Sequence, residues 1–268
     1  MKKILALVLA LAMVLSLAAC SSTPAESAAP TDAPAESAEA PAESADAPAD
    51  NAEPSVINVC LASEPDTIDP ALNSTVDGAT LTAHLFSGLA KWAQDENGNL
   101  EIVADAATEL PEGVTNEDGT VTYTYTLRDG LVWSDGQPVT AGDFAFAWQR
   151  AASPELAADY GYMFAGIEGY PDDLNVKAVD DTTFEFVLTA PCAYMEDLMA
   201  FPTFFPVKQS AVEAFADWQT SPGGWCQNAG FVSNGPFVCT AWDHDVSMTY
   251  EKNPYWYDAD SVELEKIE

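Results

Sequence analysis

The stretch TYTYTLRDGLVWSDGQPVTAGDFAFAWQR, residues 122–150, has the strongest secondary-structure pattern in the chain. Apolar residues alternate with threonines at its start, which is typical of a strand with one buried face. That face comprises Val121, Tyr123, Tyr125 and Leu127. Asp135-Gly136 then predicts a turn, and Thr140 with Asp143 predicts a helix that begins with a capping box. The apolar face of the helix comprises Phe144, Ala147, Trp148 and Ala151.

Shorter patterns predict the elements on either side of this stretch. A first strand is expected over Val56–Leu61, and a helix over Thr80–Leu89. Asn97-Gly98 has the composition of a hairpin turn. A second hairpin is expected from the strands Val176–Val179 and Thr183–Leu188. Strands and helices therefore both occur throughout the chain from residue 55 onward.

The block from residue 127 to residue 150 resembles the signature of a bacterial protein family. That signature is Arg-x-Gly-x-x-Trp-Ser-Asp-Gly-x-Pro-Val-Thr-Ala-x-Asp-Phe, and the chain matches it at Arg128, Gly130, Trp133–Gly136 and Pro138–Phe144. The family is that of the bacterial extracellular solute-binding proteins of family 5, the oligopeptide- and dipeptide-binding components of ABC importers. A strand, turn and capped helix occur in many folds, but a match of this length is far more specific than a short motif.

The resemblance implies an α/β fold. The expected unit is a periplasmic-binding-protein-like type II lobe that has a mixed sheet and an inserted β-rich subdomain. Residues 55–84 and 191–268 would form the first lobe, and residues 85–190 would form the inserted subdomain. Because the family is considerably longer than this chain, we expect the second lobe to be missing and the chain to be the N-terminal part of a longer protein.

Residues 1–20 have the pattern of a lipoprotein signal peptide. Lys2-Lys3 precedes the apolar run Ile4–Ala19, which is short for a membrane span. Leu17-Ala18-Ala19-Cys20 resembles a bacterial lipobox, in which the sulfur of Cys20 would carry a lipid. We therefore expect a protein that is lipid-anchored at the extracellular or periplasmic face of the cell membrane. The alternative is an ordinary secretory signal with an incidental cysteine.

Residues 21–54 form a low-complexity segment rich in Ala, Pro, Glu and Ser. The segment contains eight acidic residues, no basic residues and no aromatic residues. Such a composition cannot bury enough apolar surface to fold, so we predict a disordered tether between the membrane and the folded domain. A binding motif in its Pro-Ala-Glu-Ser repeats is the alternative.

Three short segments supply the candidate ligand-binding residues. By resemblance, a Ser-Glu-Pro segment lines one edge of the family's cleft, and a Ser-Asn-Gly turn lies at the cleft. Two tyrosines in a loop suit a ligand-facing surface because each offers apolar area and a hydroxyl group. The alternatives are that the Ser-Asn-Gly segment is a plain turn and that the tyrosines pack between subdomains. The candidates are Glu64, Pro65, Tyr160, Tyr162, Ser233, Asn234 and Gly235.

Charge and motifs exclude several classes of function. From residue 55 onward the chain has 35 acidic and seven basic residues, which disfavours nucleic-acid binding. The excess of acid has two explanations: a solvated acidic surface, which is the commoner one, and a preference for cationic ligands. The chain has no G-x-S-x-G, Walker or G-x-G-x-x-G motif, and His84 and His244 lack metal-ligand spacing. We therefore expect that the protein is not an enzyme and that it has neither a cofactor nor a bound metal. A catalytic pair of carboxylates, as in glycosidases, is the open alternative.

Four cysteines follow Cys20: Cys60, Cys192, Cys226 and Cys239. None forms a C-x-x-C pair, which argues against zinc. An extracellular location permits one or two disulfides, and three full pairings are open. A bond between Cys192 and Cys226 would clamp a Pro- and Gly-rich excursion, provided that their Cα atoms lie within about 7 Å.

The resemblance implies a substrate-binding lipoprotein that captures extracellular oligopeptides for import. Its partners would be a peptide ligand and the permease subunits of the ABC transporter, and it would be a monomer. The alternatives are a binding protein for another solute such as nickel or a sugar, a surface protein for adhesion or peptide sensing, and a secreted hydrolase.

Overall fold

The computed structural model describes residues 55–268. The expected signal peptide, Cys20 and the linker lie outside the described residues. Within residues 55–268, no helix is both long and apolar enough to cross a membrane.

The first sheet has four strands and mixed direction. Its strands are β1 (Val56–Ile57), β8 (Phe237–Asp243), β9 (Ser247–Lys252) and β10 (Lys266–Ile267). They lie in the order β1-β10-β9-β8, and β1 runs parallel to β10 while the other pairs are antiparallel. The prediction that the first strand continues to Leu61 is wrong, because β1 pairs only with the two residues of β10.

The second four-stranded sheet is antiparallel and contains the strand predicted at residue 121. Its strands are β4 (Val114–Thr115), β5 (Val121–Thr126), β6 (Val176–Ala178) and β7 (Thr183–Leu188), in the order β4-β5-β7-β6. The predicted alternation is confirmed, since Val121, Tyr125 and Leu127 are buried. The predicted β6–β7 hairpin is confirmed as well.

A capped helix covers this sheet. Helix α2 (Ala141–Ala152) begins at Thr140, whose backbone N–H donates to the Asp143 carboxylate at 2.9 Å, as the capping-box pattern predicts. Trp148 is fully buried on the predicted apolar face. Its ring packs against Phe184 of β7 and Phe204, with centroids 4.8 and 5.1 Å away. Aromatic packing thus fixes α2 on the sheet.

Helix α1 (Val76–Leu85) begins and ends four residues earlier than the sequence suggested. The side chain of Thr75 accepts a hydrogen bond from the Gly78 N–H and so starts the helix, while Phe86 is already extended and ends it. The chain then forms the two-stranded sheet of β2 (Ala90–Gln94) and β3 (Leu100–Ala104). Its predicted turn at Asn97-Gly98 is confirmed, with Gly98 at a positive φ of 81°.

Short helices complete the described region. They are α3 (Met195–Met199), α4 (Gln209–Ala214) and the 3₁₀ turns Gly161–Gly166, Pro202–Phe204, Gly224–Cys226 and Ala259–Ser261. The buried apolar residues of both four-stranded sheets and the helices belong to one continuous core. The mixed sheet lies within the segments assigned to the first lobe, and the antiparallel sheet lies within the assigned insertion. The domain boundaries themselves stay a prediction.

Candidate ligand-binding site

A groove of about 520 Å³ lies between the segment after β1, helix α1 and the β8–β9 hairpin. Its walls are mainly apolar, and Glu64 and Pro65 line it. Two valines on its walls, Val59 and Val246, are 50% and 75% exposed, so the groove is open to solvent. This size and lining suit a small organic ligand.

Glu64 is held by three donors from the β8–β9 hairpin, one at the end of β8 and two in the turn. Its Oε1 accepts from Trp242 Nε1 at 2.7 Å and from His244 Nδ1 at 2.5 Å, and its Oε2 accepts from the Asp245 N–H at 2.6 Å. The hydrogen bond from His244 lowers the pKa of Glu64 below its ordinary 4.5, and the Asp245 N–H acts in the same direction. The carboxylate is therefore ionised and fixed at the groove wall.

The segment that carries Glu64 is anchored on both sides. Before it, the Ser63 N–H and hydroxyl both donate to the Asp77 carboxylate of α1 at 3.2 Å. After it, Asp69 makes a bidentate ion pair with Arg150 of α2, at 2.9 and 2.6 Å, and the Asp69 side chain is fully buried. Charge-assisted bidentate pairs of this kind fix geometry as well as adding energy.

Ser233, Asn234 and Gly235 form a turn that docks β8 against the end of α1. The Asn234 side chain donates to the Ser87 carbonyl and accepts from the Ser87 N–H, each at 3.0 Å. The Gly235 N–H donates to the Leu85 carbonyl at 2.8 Å, where a Cβ atom would come within 2.4 Å of the Leu85 carbonyl carbon. These contacts are structural, and none of the three residues lines the groove.

Ser233 is fully buried, and its hydroxyl has no hydrogen-bond partner among the described residues. Its backbone N–H, in contrast, donates to the Ser134 hydroxyl at 3.1 Å. A contact between this turn and a ligand stays a prediction.

Tyr160 and Tyr162 lie at the start of the 3₁₀ turn Gly161–Gly166, outside the groove lining. Their rings are 6.3 Å apart, and Tyr160 packs edge-on against Phe201 at 5.2 Å. Tyr162 is 61% exposed. The structure therefore brings Glu64 and Pro65 together at the groove but places the two tyrosines elsewhere on the surface, where their role in ligand contact stays a prediction.

Sequence reasoning missed the residues that hold Glu64. Trp242, His244 and Asp245 follow Glu64 by 178 to 181 positions, so no local spacing links them to it. The local signal was the Trp-x-His-Asp segment itself, which spans the end of β8 and the turn after it. Only the fold brings these groups to the groove.

The four described cysteines are free thiols. Cys226 is buried, with its Sγ donating to the Gly223 carbonyl, and Cys239 is buried with its Sγ near the Ala241 carbonyl. Cys60 is exposed at the groove. None of the pairings that the sequence permitted, Cys192–Cys226 included, is formed among these four thiols. Among residues 55–268, no three His, Cys, Asp or Glu side chains cluster as metal ligands would.

Comparison with known proteins identifies the family. The model of "Bacterial extracellular solute-binding proteins, family 5 Middle" matches residues 101–268. The oligopeptide-binding protein OppA of Bacillus subtilis is 37% identical over 224 residues, which are 80% of this chain and 38% of OppA. The dipeptide-binding protein DppE of the same organism is 32% identical over 221 residues, 79% of this chain and 38% of DppE.

Solved structures agree with these matches. The structure of Listeria monocytogenes OppA bound to peptide superposes with a TM-score of 0.68 at 33% identity, covering 80% of this chain and 42% of that one. The expected α/β fold with a mixed sheet, similar to that of periplasmic binding proteins, is thereby confirmed. The chain spans about 38% of the length of the curated relatives that it matches. Because the family model covers more than half of the sequence, the chain belongs to the bacterial extracellular solute-binding proteins of family 5.

Proposed function

We propose that this protein captures extracellular oligopeptides and delivers them to the permease subunits of an ABC importer. The observation that carries the proposal is the groove at Glu64, in a chain whose relatives are named as oligopeptide- and dipeptide-binding proteins. The protein acts as a binding component without catalysis of its own, and as a monomer.

The chemistry of the groove suits a short peptide with a positive charge. Its apolar walls accept side chains, while four carboxylates line it, from Glu64, Asp243, Asp245 and Glu268. Like-charge repulsion disfavours anionic ligands at such a wall, and attraction favours an α-amino group or a basic side chain. Peptide backbone groups are held by hydrogen bonds as in strand addition.

One wall is not enough for tight binding. Val59 and Val246 leave the groove open, so a peptide lying in it would keep much of its backbone in water, where each hydrogen bond adds little net free energy. We propose that a second lobe closes over the ligand. Tyr160, Tyr162 and the Ser233–Gly235 turn are the further candidate contacts for a ligand enclosed between two lobes.

Two relatives suggest alternatives within the same class of protein. The E. coli protein YgiS, named as a probable deoxycholate-binding periplasmic protein, is 35% identical over 217 residues. An acidic groove opposes a ligand whose only charge is a carboxylate, whereas a peptide also carries an α-amino group, so we favour peptides. The pheromone receptor PrgZ, whose structure describes peptide binding, superposes with a TM-score of 0.67 at 28% identity, and it suggests peptide sensing as a second use.

Mass spectrometry of the ligands released from the purified native protein tests the proposal. We expect short peptides, enriched in basic residues, that disappear after unfolding and refolding in peptide-free buffer. Release of a bile acid or of another solute in stoichiometric amount, without peptides, would contradict it.

We also propose that Cys20 carries a lipid and that residues 21–54 tether the folded domain to the membrane. Cys20→Ser should then move the protein from the membrane fraction to the soluble fraction, because the lipid chains supply the anchoring. Equal detergent partitioning of the variant and the natural protein would contradict the lipid anchor, while the proposal of peptide binding would stand.

A further inference from the structure

Both ring nitrogens of His244 face groups that only accept hydrogen bonds. Nδ1 lies 2.5 Å from the Glu64 carboxylate, and Nε2 lies 3.0 Å from the Gln227 carbonyl oxygen. A neutral imidazole has a single N–H and can satisfy one of these acceptors, whereas an imidazolium donates to both. The geometry therefore matches the doubly protonated form of His244.

The turn around His244 depends on Glu64. Asp245 has a left-handed backbone, with φ at 63°, and its N–H donates to Glu64 rather than to the turn itself. Trp242 donates to the same carboxylate, and its ring lies 4.7 Å from the His244 ring. One carboxylate thus holds three donors of the β8–β9 hairpin, and His244 is the only one of them that can carry a positive charge.

The charged groups around His244 are all acidic. The segment after β1 contributes Glu64, the end of β8 contributes Asp243, and the turn contributes Asp245. The segment after the 3₁₀ turn Gly224–Cys226 contributes Gln227 and no charged residue. No lysine or arginine competes with His244 for Glu64 among the described ion pairs. This environment stabilises the imidazolium form.

We propose that His244, as an imidazolium, is the positioning residue that holds Glu64 at the wall of the peptide groove, and that peptide affinity falls when His244 loses its proton. The proposal rests on the proposed function, because it assigns the regulation of that same groove. Loss of the proton breaks one of the two hydrogen bonds and frees either Glu64 or the Gln227 segment. The carboxylate then loses its fixed place at the wall, and this loss outweighs the attraction that the added negative charge would exert on a basic peptide.

The pH window follows from the directions of the two shifts. The hydrogen bond to Glu64 raises the pKa of His244 above its ordinary 6.5, so the interaction is complete below 6.5 and is lost as pH rises through the raised value. The pKa of Glu64 is lowered below 4.5, so at the acid end the carboxylate is protonated, and the interaction lost, only when the pH falls through that lowered pKa. Between these limits Glu64 is ionised and His244 is protonated.

Nuclear magnetic resonance of the imidazole nitrogens tests the geometry without any ligand. The chain has two histidines, so the signals that disappear in His244→Asn are assigned to His244. We expect the pKa of His244 to lie above its ordinary 6.5, with both nitrogens protonated up to that pKa. Glu64→Gln should move the titration of His244 toward 6.5. A His244 titration at or below 6.5, or one that Glu64→Gln leaves unchanged, would overturn the interaction.

Peptide affinity as a function of pH tests the consequence. The peptide's α-amino group also titrates between pH 5.5 and pH 9, so each profile is taken relative to that of His244→Arg, which keeps the charge and the donors at every pH. On that scale, we expect the Kd of the natural full-length protein for a basic tripeptide to rise by about tenfold from pH 5.5 to pH 9, within the usual range of coupling between two sites. His244→Asn keeps a donor near the Nδ1 position without the charge, so it should be weak and flat.

A flat profile for the natural protein with normal peptide binding would overturn the role of His244, while the proposed function would stand. Absence of peptide binding at every pH would overturn the proposed function and with it the effect on affinity. The imidazole titration would still decide whether His244 holds Glu64.

Discussion

The ion pair between Asp69 and Arg150 offers the sharpest test of how the groove segment is fixed. Asp69→Asn keeps the shape of the side chain but removes its charge, and leaves the guanidinium of Arg150 buried without a counter-ion. The side chains are 0% and 6% exposed, so water cannot replace the lost partner. The variant also places an amide donor where Asp69 now accepts from Trp225 Nε1 at 2.7 Å.

The expected loss follows from this burial. Removing one partner of a buried pair typically costs about 3–5 kcal/mol of unfolding free energy. With an m-value of about 2 kcal/mol/M, the urea midpoint should fall by about 1.5–2.5 M. The assay is urea unfolding followed by tryptophan fluorescence, with the m-value compared between variants to exclude a change in the unfolded state.

A matched control is the exposed pair of Lys177 and Glu185, whose side chains are 58% and 21% exposed at an N–O distance of 2.6 Å. Glu185→Gln should cost no more than about 1 kcal/mol, as surface pairs do. Adding Arg150→Met to Asp69→Asn should recover at least about 2 kcal/mol, because the unpaired charge is then gone. A loss for Asp69→Asn no larger than that of Glu185→Gln would refute the reasoning.

Two further predictions concern packing and thiols. Gly235→Ala should destabilise the protein by about 1–3 kcal/mol, because the added Cβ would press on the backbone of Leu85. Gly166→Ala is the control and should be nearly neutral, because nothing lies within 4 Å of the position that its Cβ would take. Equal unfolding midpoints of the two variants would contradict the close approach at Gly235. Alkylation mapped by mass spectrometry should label Cys60 in the native protein and Cys226 only after unfolding, because burial raises the pKa of the Cys226 thiol; rapid native labelling of Cys226 would contradict its placement.

Local patterns in the sequence predicted the central elements well. The alternation at Val121–Leu127 and the capping box at Thr140 and Asp143 depend on residues within one turn or one strand of each other. The first strand and helix α1 were misplaced at their ends, since their limits depend on the two-residue partner β10 and on the cap at Thr75. Boundaries of this kind depend on tertiary contacts or on a side-chain cap that propensity does not encode.

The candidate site was predictable only in part. Glu64 was found through the resemblance of Ser-Glu-Pro to a family segment, but its three donors come from the far end of the chain. Asn234 was predicted to face a ligand because a Ser-Asn-Gly turn lies at the cleft of the family that the sequence resembles, and its side-chain amide can both donate and accept. In the structure, both functions of that amide are used by Ser87. A residue type indicates which bonds are possible, whereas only the fold determines which partner takes them.

Calorimetric titration of short peptides tests the central claim most directly. Residues 55–268 should bind peptides no better than about millimolar, because the groove is open, whereas the protein that includes the proposed second lobe should bind at micromolar or tighter, a difference of at least about 4 kcal/mol. Glu64→Gln in the full-length protein should weaken the binding of basic peptides. Micromolar binding by residues 55–268 alone would contradict the two-lobe account, and absence of peptide binding by the full-length protein would contradict the proposed function.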